Sequence, residues 1–207
     1  MTGLQYIDNK LVLCIDKCTP IAIDFEEIVV RRCRQGLKKP GILKACKPKP
    51  GLKILDATAG FGRDAAILAS SGAEVFMCER EPMLAALLED GLKRLNPDNN
   101  LKLKLIQADA KDYLSALDAA DYPDIIYLDP MHPARTKSAR VKKDLYALQQ
   151  LLGADDNPMA LLACARAHAK KRVVVKWPAK QPALLTPNYV ISGKTIRFDV
   201  YQMVSAE

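Results

Sequence analysis

The sequence predicts an α/β protein built on a mostly parallel, seven-stranded sheet whose last strand runs backwards. Three observations carry this. From residue 52 onward, short apolar runs alternate with segments whose apolar residues recur at helical spacing, the pattern of strands covered on both faces by helices. A glycine-containing stretch, Ala57 to Gly62, separates the first of these strands from the first of these helices. The last two strand-like runs are joined only by Ser192, Gly193 and Lys194. A crossover between parallel strands takes about a dozen residues or more, so this pair must be an antiparallel hairpin.

Taken in order, residues 4–15 read as a hairpin. Leu4 and Tyr6, then Leu11 and Leu13, alternate on either side of Asp8-Asn9, a pair that tolerates the positive φ of a tight turn. Asp24 and Glu27 have the spacing of a capping box and open a helix running toward Gly36. Pro40, Gly41, Pro48, Pro50 and Gly51 then punctuate a basic linker that cannot be regular structure throughout. Leu52–Asp56 is the first strand of the sheet, 63–71 a helix of small residues, and Glu74–Glu79 the second strand. Pro82 suits a helix's first turn and opens a leucine-rich helix to about Leu95. Strand 101–107, helix 110–117 and strand 124–128 follow. Val141, Leu145, Leu148 and Leu152 keep helical spacing, as does segment 159–169. Arg172–Lys176, 188–191 and 195–204 complete the strands. Residues 1–50 thus form a short appendage of hairpin, helix and linker, and 51–207 the α/β domain.

At 207 residues, 49% hydrophobic and 27% charged, the chain has ordinary globular composition, which excludes a disordered or fibrous protein. No apolar run approaches the roughly 18 residues that span a bilayer, and the first ten residues lack a signal-peptide pattern. Six cysteines (14, 18, 33, 46, 78 and 164) form no C-x-x-C pair, and there are two histidines. They read as reduced thiols of a cytoplasmic protein, with no metal site expected.

The net charge of +7 is unevenly spread. Residues 28–55, 130–143 and 157–198 hold twenty-two of the 31 Lys and Arg and no acid, while the rest of the chain carries all 24 acids. Segregation on this scale offers a polyanion a face to bind, with counterion release driving affinity. Nucleic acid is the expected partner, with Arg31, Arg32, Arg34, Lys137, Arg140, Lys143 and Lys176 as candidate RNA contacts.

The chemistry concentrates between strands and helices. In the stretch Asp56 to Asp64 (DATAGFGRD), glycines let the chain turn sharply and let a ligand approach the main chain, and the following helix offers free N–H groups. Gly60, Gly62 and Ala65 also satisfy the dinucleotide pattern G-x-G-x-x-A, so the glycines alone do not separate NAD from other adenosine cofactors. Asp56 tilts the choice, because a carboxylate there suits a cationic ligand better than a pyrophosphate. S-adenosylmethionine (SAM) carries a sulfonium and an ammonium group. Glu79 closes the second strand, where a carboxylate can accept both ribose hydroxyls. Asp109 follows the third strand and can accept the adenine amino group, order the loop around it, or simply cap the next helix.

The fourth strand ends Tyr127-Leu128-Asp129-Pro130-Met131-His132-Pro133. Asp129 and the Pro130 carbonyl form a pair of acceptors at the rim of the cleft. Methylating an aromatic exocyclic amine requires such a pair, since its lone pair is delocalised into the ring. Two acceptors gripping its hydrogens favour the pyramidal, nucleophilic form. Asp129, Pro130 and His132 are therefore the candidate catalytic residues, with the His132 ring stacking on the base. Trp177, after the fifth strand, reads equally as a base-stacking or a rim-packing residue, and His168 as a solvated helix residue.

With these residues identified, the chain resembles a class I SAM-dependent methyltransferase of Rossmann-like fold. More narrowly, it is similar to the bacterial 16S ribosomal RNA guanine-N2 methyltransferase family of the small subunit. The resemblance runs from about Ile21 to Gln202 and is carried by DATAGFGRDA (56–65), CEREPMLAALLEDGL (78–92), YLDPMHP (127–133), KSARVKKD (137–144), KRVVVKWP (171–178) and RFDVY (197–201). It implies that Arg63, Asp64, Glu79, Arg80, Asp109, Ala110 and Asp129 contact SAM, beside Asp56, Gly60 and Gly62. It further implies a substrate of 16S rRNA or the small ribosomal subunit; a monomer is the expected state. Two positions depart from the family pattern: His132 stands where an aromatic residue is usual, and Asp109-Ala110 where two small hydroxyl residues are common. The rival readings are methyl transfer to another amine, such as a protein glutamine amide or another RNA base, an NAD oxidoreductase, and an RNA-binding assembly factor without turnover.

Overall fold

A computed structural model describes residues 3–16, 19–34, 41–130 and 157–203, with the backbone alone at 32–34. The first two strands, β1 (Gly3–Ile7) and β2 (Lys10–Cys14), pair antiparallel with Ile7 opposite Lys10. The turn between them is the expected Asp8-Asn9, both residues having positive φ. Helix α1 (Phe25–Arg34) begins after Asp24, whose carboxylate accepts the Glu27 N–H at 2.9 Å. Only half of the capping box forms, because the Glu27 carboxylate turns forward to Arg31.

Within the expected linker lies a helix that the local pattern does not announce, α2 (Gly41–Cys46). It buries Ile42, Ala45 and Cys46 on one face, leaves Lys44 exposed, and ends at Lys47, whose φ is positive, just before Pro48. Six residues flanked by Pro and Gly are too short to show a helical period, and the helix is held by what it packs on.

The main sheet contains β3 (Lys53–Asp56), β4 (Glu74–Glu79), β5 (Lys102–Gln107), β6 (Ile125–Leu128), β7 (Arg172–Pro178), β8 (Tyr189–Ser192) and β9 (Ile196–Gln202). Its order is β5-β4-β3-β6-β7-β9-β8. The first five are mutually parallel; β9 runs antiparallel to β8, as the three-residue link requires, and also to β7. The chain leaves β3 toward β4 and β5, then returns to place β6 on β3's other side. A cleft opens at such a reversal, outside the carboxyl ends of the strands.

Alternation along the strands divides the core in two. Ile54, Val75, Met77, Ile125, Tyr127, Val174 and Val200 face one side, with α3 (Arg63–Ala69) and α4 (Pro82–Lys93) packed there. Leu55, Cys78, Ile126, Leu128, Val173, Val175 and Tyr201 face the other, under α5 (Ala110–Ser115) and α6 (Pro158–His168). All four residues of β6 are buried, which is why it reads as a continuous apolar run. Residues before 51 share the first of these cores: Leu13, Ile23, Phe25, Ile42 and Cys46 are all buried in it.

Candidate active site

The site is assembled where β3, β4, β5 and β6 end side by side. Asp56 closes β3 and is almost fully buried, its Oδ1 accepting the Thr58 N–H at 3.2 Å. The loop after it is pinned on both sides. The Ala57 N–H donates to the Tyr127 carbonyl on β6, and the Ala59 N–H to the Cys78 carbonyl on β4. Gly60 (φ 53) and Gly62 (φ 68) adopt the left-handed conformation that admits glycine freely. The Gly60 N–H donates to Glu79 Oε2 at 2.9 Å, and the Glu81 N–H to Glu79 Oε1 at 2.8 Å. Glu79 therefore ties the loop to the β4 tip and stays available through its remaining lone pairs.

Asp109 caps α5, accepting the Lys111 N–H at 2.9 Å, and its Oδ2 lies 3.8 Å from the exposed Arg80 guanidinium. Ala110 is buried in α5's first turn, and Arg63, exposed at the start of α3, rests its guanidinium 5.7 Å above the Phe61 ring. On the other side, the Asp129 N–H donates to Thr58 Oγ1 at 2.7 Å. This bond joins the β6 tip to the glycine loop. Pro130 beside it is buried.

Asp64, on α3, does not cap its own helix. Its Oδ2 accepts from the buried Tyr127 hydroxyl at 2.6 Å and from Lys176 Nζ at 2.9 Å. Lys176 also donates to Asp129 Oδ2 at 2.7 Å. The Lys176 ammonium, a candidate RNA contact, thus sits between two carboxylates at the cleft. Trp177 is buried and its Nε1 donates to the Pro182 carbonyl at 2.8 Å, so it packs the rim. Arg31 is exposed on α1 and pairs with Glu27, and Arg32 and Arg34 follow on the same helix. His132, Lys137, Arg140 and Lys143 lie outside the described residues.

The electrostatics follow from the packing. Burial pushes the Asp56 carboxyl well above the ordinary carboxylate range, and Asp64 adds to this against the restraining Thr58 N–H. Burial also raises Glu79, opposed by the N–H groups of Glu81 and Gly60. Asp129 is raised by burial, with Lys176 pulling it down and Asp64 pushing it up. For Lys176, burial works against the charge, yet Asp64 and Asp129 more than offset it and hold the ammonium above its ordinary range. Sequence reasoning missed Thr58 and Tyr127. Their roles depend on partners distant in the chain, and neither residue type advertises them.

Among the described residues, the carboxyl groups of Asp56, Asp64, Glu79 and Asp129 gather around the loop, with the Lys176 ammonium between two of them, a setting that disfavours a pyrophosphate. It suits a ligand bearing a sulfonium, an ammonium and a ribose. Among the described residues, a methyl added at Gly60 would meet only the Thr58 carbonyl at 3.9 Å, so they leave the backbone open to close approach there. Among the described residues, no cluster of three or more His, Cys, Asp or Glu could hold a metal, and no helix is long and apolar enough to cross a membrane.

The sheet order and the cationic-nucleoside cleft together place the protein among the class I SAM-dependent methyltransferases, with SAM as cofactor. Comparison with known proteins narrows this. Residues 3–203 match the family described as "Putative SAM-dependent methyltransferase". The chain is 52% identical over 202 residues to ribosomal RNA small subunit methyltransferase J of Legionella pneumophila (strain Corby), covering 97% of this chain and 83% of that protein. It is 42% identical over 210 residues to the protein of the same name from Pseudomonas aeruginosa (strain LESB58), covering 96% and 78% respectively. The crystal structure of a SAM-dependent methyltransferase from Neisseria gonorrhoeae superposes with a TM-score of 0.76 at 33% identity, over all of this chain and 85% of that one. The chain belongs to the ribosomal RNA small subunit methyltransferase J family of SAM-dependent methyltransferases.

Proposed function

We propose that this protein transfers the methyl group of SAM to the exocyclic N2 amine of a guanosine in 16S rRNA, acting as a monomer in the cytoplasm on the rRNA or the small subunit. The observation that carries this reading is the 2.7 Å bond from the Asp129 N–H to Thr58 Oγ1, which ties a pair of acceptors, the Asp129 carboxylate and the Pro130 carbonyl, to the glycine loop. SAM supplies an electrophilic methyl on a sulfonium. Gly60 and Gly62 let that ligand lie against the main chain, Glu79 accepts its ribose hydroxyls, Asp109 orders the adenine pocket, and Asp56 faces its cationic part. Asp129 and Pro130 grip the hydrogens of the amine and favour the geometry in which its lone pair points at the methyl. Once alkylated, the nitrogen is an acidic cation and gives up its proton without a strong base. His132 stacks on the base, which is flipped out or already unpaired. The basic stretches, including Arg31, Arg32, Arg34, Lys137, Arg140 and Lys143, hold the phosphate backbone.

A protein glutamine amide offers similar hydrogens, but the segregated positive charge favours RNA. Incubation with labelled SAM and either small subunits lacking the modification or a protein extract tests the choice. Label in N2-methylguanosine is expected, and label in protein alone refutes the RNA assignment. Asp129→Ala should lower kcat by about 100-fold or more while leaving rRNA affinity within about threefold. An unchanged rate removes Asp129 from its role.

A further inference from the structure

We infer that Lys176 is a positioning residue for the transfer, holding the Asp129 carboxylate by one oxygen so that the other is presented to the target amine. This rests on the function proposed above. Lys176 Nζ bridges Asp64 Oδ2 and Asp129 Oδ2, at 2.9 and 2.7 Å. Asp64 is itself fixed by the Tyr127 hydroxyl at 2.6 Å, and Tyr127 is fully buried beneath the sheet's first face. A continuous chain, Tyr127 to Asp64 to Lys176 to Asp129, therefore runs from the packed core to the rim of the cleft. The Asp129 main chain is independently fixed by Thr58. Backbone and side chain of the proposed acceptor are thus held from two different places, the loop after β3 and strand β7, which is the kind of support that keeps a reacting group in place. Among the described residues, Asp129 Oδ1 accepts no hydrogen bond.

The arrangement is expensive unless it has a use. A lysine that is three-quarters covered gives up most of its rotamer freedom, and its charge must be desolvated. A surface phosphate contact needs neither. What Lys176 supplies is charge. Among the described residues, the groups facing Asp129 and Lys176 are Asp64 on α3, Asp56 at the end of β3, and Tyr127 on β6, with the neutral, deeply buried Cys46 thiol of α2 near Asp64 and Asp56. Without the ammonium these acids repel one another and Asp129 takes up a proton more readily. A protonated carboxyl has one fewer oxygen able to accept from an amine. Lys176 therefore both aims Asp129 and keeps it ionised.

Two measurements on Lys176→Met, Lys176→Gln and Lys176→Arg test this. In the first, the Asp129 carboxyl carbon is followed by NMR across pH in protein without SAM or RNA. Its titration should move up by about one pH unit or more in Lys176→Met and stay close to wild type in Lys176→Arg. In the second, methylation of small subunits at saturating SAM is followed across pH. In Lys176→Met, kcat should fall about 30-fold at pH 7, more steeply at lower pH, with KM for the subunit within about threefold and partial rescue by Lys176→Arg. If Lys176→Met does not fold, Lys176→Gln supplies the neutral side chain. An Asp129 titration unmoved in the folded neutral variant overturns the inference, as does a raised KM with unchanged kcat, which returns Lys176 to phosphate binding. Should wild type leave the subunit unmethylated, the proposed function fails, while the NMR titration still judges Lys176.

Discussion

The two glycines of the β3–α3 loop should fail in different ways when each is given a single methyl group. At Gly62, a Cβ would stand 2.8 Å from Leu88 Cδ2, 2.8 Å from Phe25 Cε1 and 3.2 Å from Met77 Sδ. All three neighbours are buried in the first core, so none has room to retreat. Overpacking of this kind costs about 1–3 kcal/mol, and the left-handed backbone (φ 68) adds about 1 kcal/mol for a residue with a Cβ. The sum for Gly62→Ala is about 2–4 kcal/mol, or roughly 5–15 °C of melting temperature in a domain of this size. At Gly60, the same methyl meets nothing among the described residues closer than the Thr58 carbonyl at 3.9 Å, leaving only the backbone penalty of about 1 kcal/mol. On the function proposed above, that methyl points toward the bound SAM. Gly60→Ala should therefore lose less than about 5 °C while weakening SAM binding by at least about tenfold, close to 1.4 kcal/mol. Thermal melts and calorimetry with SAM on both variants provide the assay. Wild-type SAM affinity in Gly60→Ala would refute the claim that the cofactor lies against this loop. A wild-type melting temperature in Gly62→Ala would refute the packing argument.

Asp56→Asn should stabilise the ligand-free protein at neutral pH while weakening SAM binding. Burial raises the Asp56 carboxyl well above its ordinary range, so the folded state favours the proton and loses stability as pH climbs through that raised value. The variant's advantage in denaturant melts should be absent below the ordinary carboxylate range and grow toward pH 7; an advantage independent of pH contradicts this. Phe25→Ala should remove about 3–5 kcal/mol and keep a single cooperative transition, since Phe25 packs in the core shared with the sheet; two transitions would show that the first 50 residues fold apart. Replacing Lys137, Arg140 and Lys143 together with Ala should weaken rRNA binding and flatten its log–log salt dependence by roughly two units, and an unchanged slope would take these residues out of the interface.

Much of this architecture is legible in local patterns because local physics decides it. Asp8-Asn9 announces its turn since few other pairs accept two consecutive positive φ angles, and the three residues between Ile191 and Thr195 leave no alternative to a reversed strand. The tips bearing Asp56, Glu79, Asp109 and Asp129 could be placed because a parallel sheet puts every carboxyl end on one edge. Helix α2 was invisible for the opposite reason: its stability comes from burying Ile42, Ala45 and Cys46 against the sheet, which no six-residue window records. The bridge Asp64–Lys176–Asp129 was hidden in the same way. Within KRVVVKWP, Lys176 shows its charge but not its partners, which come from α3 and the β6 tip, so it reads as one more basic residue of a cationic stretch.

The most direct test of the central claim is a map of N2-methylated guanosines in 16S rRNA from cells lacking this protein, complemented with either wild type or Asp129→Ala. One guanosine should lose its N2 methyl in the deletion, regain it with wild type, and stay unmodified with Asp129→Ala. A full complement of N2-methylguanosines in the deletion strain, or restoration by Asp129→Ala, would contradict the assignment.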